Sequence, residues 1–245
     1  MGERSGIEWT DATWNPWRGC TKVSPGCAHC YMFREQIRYG HDPEVVTRSK
    51  TTFHAPLKWR EPRVVFTCSW SDWFHEAADP WRDEAWDVIR QTPQHTYLIL
   101  TKRIERADGR LPWAAFGDPW PNVWLGVSVE NQRFAHRLRI LNTLPATVRF
   151  CSAEPLLGPL SIGEYLGPRH VSWVIGGGES GPGFRATEVS WLRALADQCT
   201  ARGAKFFLKQ LGGWPDKQGG ASAVLDGRRW TERPAVESAP TGEKP

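Results

Sequence analysis

Six short runs of apolar and β-branched residues recur along the chain, each closed by polar, Gly or Pro punctuation: Val64–Ser69, Tyr97–Thr101, Val123–Val129, Val148–Ser152, Val171–Ile175 and Lys205–Lys209. Their near-continuous apolar character suits strands buried on both faces, as in a parallel sheet. Between them, Pro80–Arg90, Gln132–Leu141 and Thr187–Arg202 show helical spacing. The last carries Val189, Leu192, Leu195 and Ala196 as its inward stripe. Strand–helix alternation predicts βαβ units with right-handed crossovers. The expected fold class is therefore α/β, a partial (β/α) barrel of about six to seven parallel strands. A doubly wound sheet is the main alternative. In both, the working site lies at the C-terminal ends of the strands.

The expected organisation is one domain over 1–213 followed by an extension over 214–245. Within the extension, Ala223–Trp230 reads as a small hairpin turning at Asp226–Gly227. Pro234–Pro245 is rich in Pro, Glu and Ser and reads as disordered.

Composition narrows the class. Of 245 residues, 40% are hydrophobic and 24% charged, which permits a sizeable core and excludes wholesale disorder. A net charge of +4 permits a nucleic-acid or other phosphate-bearing partner without demanding one. Fifteen Trp against four Tyr and two Met is an unusual ratio. Core packing should take most of them, and a pocket for a planar ligand the rest. No apolar run reaches membrane-spanning length, so no membrane partner is expected. The segment Met1–Trp9 carries Glu3, Arg4 and Glu8 in place of an apolar signal core. The expectation is a cytoplasmic protein, whose six Cys are thiols, metal ligands or catalytic groups rather than a disulfide framework.

The strongest chemical signal is Gly19-Cys20-Thr-Lys-Val-Ser-Pro-Gly-Cys27-Ala-His-Cys30-Tyr31, a C-x6-C-x2-C pattern. The Ser24-Pro25-Gly26 turn folds Cys20 back toward the Cys27/Cys30 pair, whose spacing lets two thiolates reach one metal or cluster. Tyr31–Tyr39 reads as a helix whose N-terminal N–H groups would favour thiolate at Cys30. Three local thiolates fit a four-iron cluster with one iron left open. They also fit zinc with His29 or His41 as fourth ligand, or unliganded thiols. Cys68, Cys151 and Cys199 are isolated and read as small buried hydrophobes.

The three-Cys loop followed by a helix and βα units resembles the radical S-adenosylmethionine (radical SAM) superfamily. More closely, the chain resembles a phage-associated three-cysteine-motif family related to it. The residues that carry the resemblance begin with Trp14-Asn15-Pro16-Trp17, the cysteine loop and Leu100-Thr101-Lys102-Arg103. They continue with Asn122 to Asn131, Glu154-Pro155-Leu156-Leu157-Gly158, Gly176 to Ser180, and Phe207-Leu-Lys209-Gln210. The resemblance implies a 4Fe-4S cluster on Cys20, Cys27 and Cys30. It also implies S-adenosyl-L-methionine bound at the open iron, an external electron donor, and hydrogen abstraction from substrate by a 5′-deoxyadenosyl radical. The sequence departs from the superfamily pattern in its six-residue first gap, where three is common. It also has His29 before the third Cys, where an aromatic is common. Gly177-Gly178-Glu179 follows a much later strand than the superfamily's Gly-Gly-Glu element.

Further candidates lie at strand ends. By resemblance, Ser128, Glu130 and Asn131 bind the ribose hydroxyls of S-adenosyl-L-methionine, unless Asn131 is a helix cap. Gly176, Gly177 and Gly178 let backbone approach a ligand closely, with Glu179 and Ser180 beside them, so these join the cofactor-binding set. Lys102, Arg103, Lys209 and Gln210, with Glu154, are substrate candidates for a phosphate or carboxylate, or else solvated loop charges. Ser69, Ser71, Asp72 and His75 cluster after the Val64–Ser69 run. Two other functions compete: a zinc-containing nucleic-acid-binding module, and a non-catalytic iron–sulfur protein that serves a partner protein.

Overall fold

A computed structural model describes residues 3–114 and 117–236. In chain order the strands are β1 (Ala12–Trp14), β2 (Trp17–Arg18), β3 (Thr47–Arg48), β4 (Val64–Thr67), β5 (Thr96–Thr101) and β6 (Val123–Ser128). They continue with β7 (Val148–Ala153), β8 (Val171–Gly177), β9 (Lys205–Gln210), β10 (Val224–Leu225) and β11 (Arg228–Arg229). The helices are α1 (Tyr31–Arg38), α2 (Asp79–Arg90), α3 (His136–Thr143) and α4 (Val189–Arg202).

Seven strands form one parallel sheet in the order β1-β4-β5-β6-β7-β8-β9. The sheet curls into a half-barrel. Strand order follows chain order throughout. A doubly wound sheet would reverse at a switch point, so the partial barrel is the architecture. Six strands lie where the apolar runs predict them. The seventh, β1, is an edge strand of only three residues, too short to show a period.

Two helices differ from their predicted spans. Gln132–Leu141 divides into a 3-10 turn, Gln132–Phe134, followed by α3. The Asn131 side chain caps that turn, accepting from the Arg133 N–H at 3.1 Å. In α4 the inward stripe is Leu192, Leu195, Ala196 and Cys199, all buried. Val189 is in phase with it but occupies the first helical position and stays 42% exposed.

The inward face of the sheet explains where the cavity lies. Strand side chains alternate, so every second residue points into the half-barrel. At the bottom these are large and apolar: Val64, Leu98, Trp124, Phe150, Trp173 and Phe207, which join Trp9 and Ile175 in one buried cluster. Two or four residues further along these strands they become smaller or polar, at Ser128, Ser152, Gly177 and Lys209. The lower half is therefore plugged and the upper half is open. The outward positions, such as Val65, Ile99, Val127, Cys151 and Val174, join the larger core under the helices.

After β9 the chain returns along that strand's free edge. Phe207 bridges Thr231, Gln210 bridges Gly219, and the Leu208 N–H donates to the Trp230 carbonyl at 2.9 Å. The predicted hairpin is present: β10 and β11 pair antiparallel, and Asp226 and Gly227 between them both have positive φ, 51° and 76°. Of the Pro234–Pro245 tail, positions 237–245 lie outside the described residues. Among the described residues no helix is long and apolar enough to cross a membrane.

Candidate functional site

A cavity of about 510 Å³ opens at the C-terminal ends of the strands. Cys20, Cys27 and Cys30 all line it, carried by the loop between β2 and α1. Cys30 immediately precedes α1, as the expected helix requires. Burial raises its thiol pKa, while the Met32 and Phe33 backbone N–H groups and Lys102 pull the other way. Burial and the nearby Asp72 push the Cys20 thiol up to about 12, against the pull of Arg103. Thiols of this kind do not ionise unaided near neutrality, whereas a bound metal deprotonates its thiol ligands outright.

The cysteine loop is clamped from two distant strands. Ser24 Oγ donates to Glu130 Oε1 at 2.5 Å. Glu130 is fully buried and also faces Lys102 Nζ at 3.4 Å and Arg137 Nη1 at 3.2 Å. A Cβ at Gly26 would fall on that carboxylate, so only glycine lets the loop lie this close. On the other side Glu179 binds His29 Nδ1 at 3.1 Å and accepts from Arg185 Nε and Nη2. Arg185 Nη2 also donates to the Pro25 carbonyl at 2.9 Å. Burial works to raise the Glu179 carboxyl, yet the hydrogen bonds from Arg185 and His29 overcome it and hold it below the usual range.

A third clamp surrounds Cys20. Arg103 Nη1 lies 3.5 Å from its Sγ, and Nη2 donates to the Thr21 carbonyl and hydroxyl at 2.9 and 2.7 Å. Asp72 accepts from Thr101 Oγ1 at 2.6 Å and from the Lys102 N–H at 2.9 Å, and it faces Arg103 at 3.5 Å. His75 Nδ1 accepts from the Ala77 N–H, which leaves its Nε2 to donate to Thr21 Oγ1 at 3.2 Å. His75 is thus a structural histidine under the loop.

The remaining candidates separate by strand phase. Ser128, Glu154, Glu179, Lys102 and Lys209 share the inward phase and line the cavity. Glu154 and Lys209 pair there at 2.5 Å. Gly178, Ser180, Arg103 and Gln210 also line it, from the loops and strand ends. Gln210 Nε2 donates to the Gly178 carbonyl at 2.8 Å, and a Cβ at Gly178 would strike the Leu211 carbonyl. Gly177 lies within reach of the Glu154 and Gln210 side chains. Gly176 is out of phase and packs against Phe206 and Leu192 on the helix side. Asn131 caps its 3-10 turn, and Glu130 sits beneath the cysteine loop, so both belong to the scaffold of the site rather than to its lining.

The sequence reading does not identify Ser24, Thr21 or Arg185, because their roles depend on contacts across 106, 82 and 160 residues. It also leaves Cys68 as a buried hydrophobe. Cys68 is 4% exposed but lines the same cavity near Cys20, with a left-handed φ of 54° that ends β4. Its inward phase, two residues past Phe66, is the signal that could have found it.

The donors at this cavity are three thiols. Zinc binds thiolate at about 2.3 Å, so the sulfurs around one zinc crowd to within roughly 4 Å. Among the described residues no three His, Cys, Asp or Glu side chains converge on a point where a single metal ion would sit. His29 is engaged by Glu179, and His41 lines a different groove, beside Gln36 and Thr47. In a cluster each thiolate binds a different iron, which needs a wider trio facing an open space. Cys20, Cys27 and Cys30 bring three thiols to one cavity.

The fold and site define a half-barrel protein with a cysteine-lined cavity at the C-terminal strand ends. The chain belongs to the family described as "Protein of unknown function (DUF5131)", whose model matches residues 4–234. No curated protein and no solved structure matches the chain.

Proposed function

We propose that the protein is a radical SAM-type enzyme, with Cys20, Cys27 and Cys30 as ligands of a 4Fe-4S cluster. The observation that carries this reading is the position of all three cysteines around one cavity at the C-terminal ends of a parallel half-barrel. When bound, such a cluster with one open iron supplies an electron for reductive cleavage of S-adenosyl-L-methionine, and the 5′-deoxyadenosyl radical released takes a hydrogen atom from substrate. The chain's own groups set the conditions. The Trp9–Phe150–Trp173 plug closes the cavity floor to water. Ser128 and the Glu154–Lys209 pair offer an acceptor, a donor and a counter-charge to a zwitterionic ligand. Glu179 differs from a free ammonium acceptor because Arg185 and His29 already occupy it. Its role here is to fix the cysteine loop. Electrons come from an external donor, and a cytoplasmic site of action fits the reduced cysteines.

The test is anaerobic reconstitution followed by electron paramagnetic resonance of the dithionite-reduced protein. The expected result is a reduced four-iron signal that changes when S-adenosyl-L-methionine is added and vanishes in Cys27→Ala. Stoichiometric zinc with no incorporated iron would overturn the reading.

A further inference from the structure

The fifteen tryptophans are almost all drawn into the core or half-buried. Trp214 is the one exposed large aromatic of this type among the described residues, at 58%, and it lines the cavity mouth with Pro215 and Lys217. Among the described residues it stacks on no other ring. An indole held in water at the rim of a site offers a large flat face to a ligand.

Its backbone is held firmly. The Leu211 N–H donates to the Gln218 carbonyl at 3.1 Å and the Gly212 N–H to the Lys217 carbonyl at 3.0 Å, which closes the base of the 213–216 tip. The Gly213 N–H donates to the Glu179 carbonyl at 3.0 Å, and the Gly181 N–H to the Gly213 carbonyl at 3.3 Å. The tip is therefore tied to the same loop that clamps the cysteines. Exposure combined with a fixed backbone is partial pre-organisation: the chain that carries the ring does not have to be ordered when a ligand arrives.

Charge at the mouth adds the second requirement. The four carboxylates of the lining are each paired, Glu8 with Arg229, Asp72 with Arg103, Glu154 with Lys209 and Glu179 with Arg185. Lys217, three residues from Trp214, has no ion-pair partner among the described residues. A flat ring beside an uncompensated ammonium selects a planar group that carries an anion. A sugar would use the ring and leave the charge idle, and a simple anion would leave the ring idle.

We propose that the cavity mouth binds a nucleobase carrying a phosphate, with the base stacked on Trp214 and the phosphate at Lys217. This deepens the radical SAM reading and rests on it for the chemistry that follows, but binding itself needs no cluster.

The experiment is fluorescence anisotropy of a short labelled single-stranded oligonucleotide with the full chain, DNA and RNA in separate arms and adenosine monophosphate as competitor. Iron content is measured on the same preparation. Saturable binding of the strand is expected. Trp214→Ala should weaken it about tenfold, the scale of one lost base stack, and Trp214→Phe should restore most of it. Lys217→Ala should lower the slope of log affinity against log salt by about one. Competition by adenosine monophosphate at comparable affinity assigns the site to free nucleotides, and failure to compete assigns it to a strand. Both support the proposal. If neither strand nor mononucleotide binds, or if Trp214→Ala binds like the parent protein, the proposal fails even where iron is fully incorporated. Nucleotide binding by protein that cannot take up iron would sink the enzyme reading instead.

Discussion

Arg103 is where a single side chain touches the most of the site. It places an N–H group 3.5 Å from Cys20 Sγ while holding both polar groups of Thr21. A positive donor beside a ligating sulfur stabilises the more negative, reduced form of a cluster. Arg103→Gln should therefore lower the midpoint potential of the proposed cluster, by on the order of tens of millivolts, read by spectroelectrochemistry. An unchanged potential in an iron-loaded variant would remove this role. His75 sits on the other side of Thr21. Burial, aided by Arg103, holds its ring below its ordinary pKa. Its folded pKa is thus lower than its unfolded one, so the unfolded chain binds the proton first as pH falls. The contribution of His75 is complete above about pH 6.5 and is lost progressively below it. Urea midpoints measured from pH 7.5 to 5 should fall toward the acid end, and the fall should be smaller in His75→Gln.

At the scale of elements, the sheet was legible because its strands are apolar on both faces and the punctuation between them is strong. The site was legible in part through the alternation within each strand. Running two residues at a time, Trp124, Gly126, Ser128 and Glu130 lead from plug to cavity to clamp, and Phe150, Ser152 and Glu154 lead from plug to cavity. Ser128, Glu154 and Lys209 were therefore well placed by their strand ends alone. Asn131 and Gly176 were not, because one residue of phase moves a side chain off the inward face. What the sequence could not show is which distant group meets the cysteine loop. Glu130 resembles a ligand-binding strand-end residue until Ser24, 106 positions away, is seen to donate to it. Glu130→Ala would leave Arg137 without its carboxylate in a buried setting and cut the loop's tie to β6. A loss of about 3 kcal/mol in unfolding free energy is expected, together with reduced iron uptake. Stability like that of the parent protein would show that Ser24 and Arg137 find other partners.

For the whole molecule, the half-barrel has two free edges, and each is managed. Beside β1 the Trp14 Nε1 donates to the Phe53 carbonyl at 2.9 Å, and the Ser49 N–H to the Pro16 carbonyl at 2.8 Å, so the 47–53 segment covers it. The β9 edge is covered by residues 219–232. Although composition alone marks 214–245 as an appendage, its first part seals the sheet, and Trp173 Nε1 donates to the Glu232 carbonyl at 2.9 Å. Truncation after Gly213 should expose unpaired strand backbone and produce a protein that aggregates on size-exclusion chromatography, whereas truncation after Val236 should leave a monodisperse species.

The clamps on the cysteine loop bear on how the protein is made. The three thiols emerge from the ribosome well before the groups that lock their loop, which follow 106 positions after Ser24, 150 after His29 and 160 after Pro25. During synthesis the loop is a set of three thiols with no walls around them. Only when β6 and the segment after β8 arrive does the cavity close over them. The proposed cluster is best delivered before that closure or against it. Slowed translation between β2 and β6 is therefore expected to change how much of the proposed cluster the finished protein holds, without changing one residue of it.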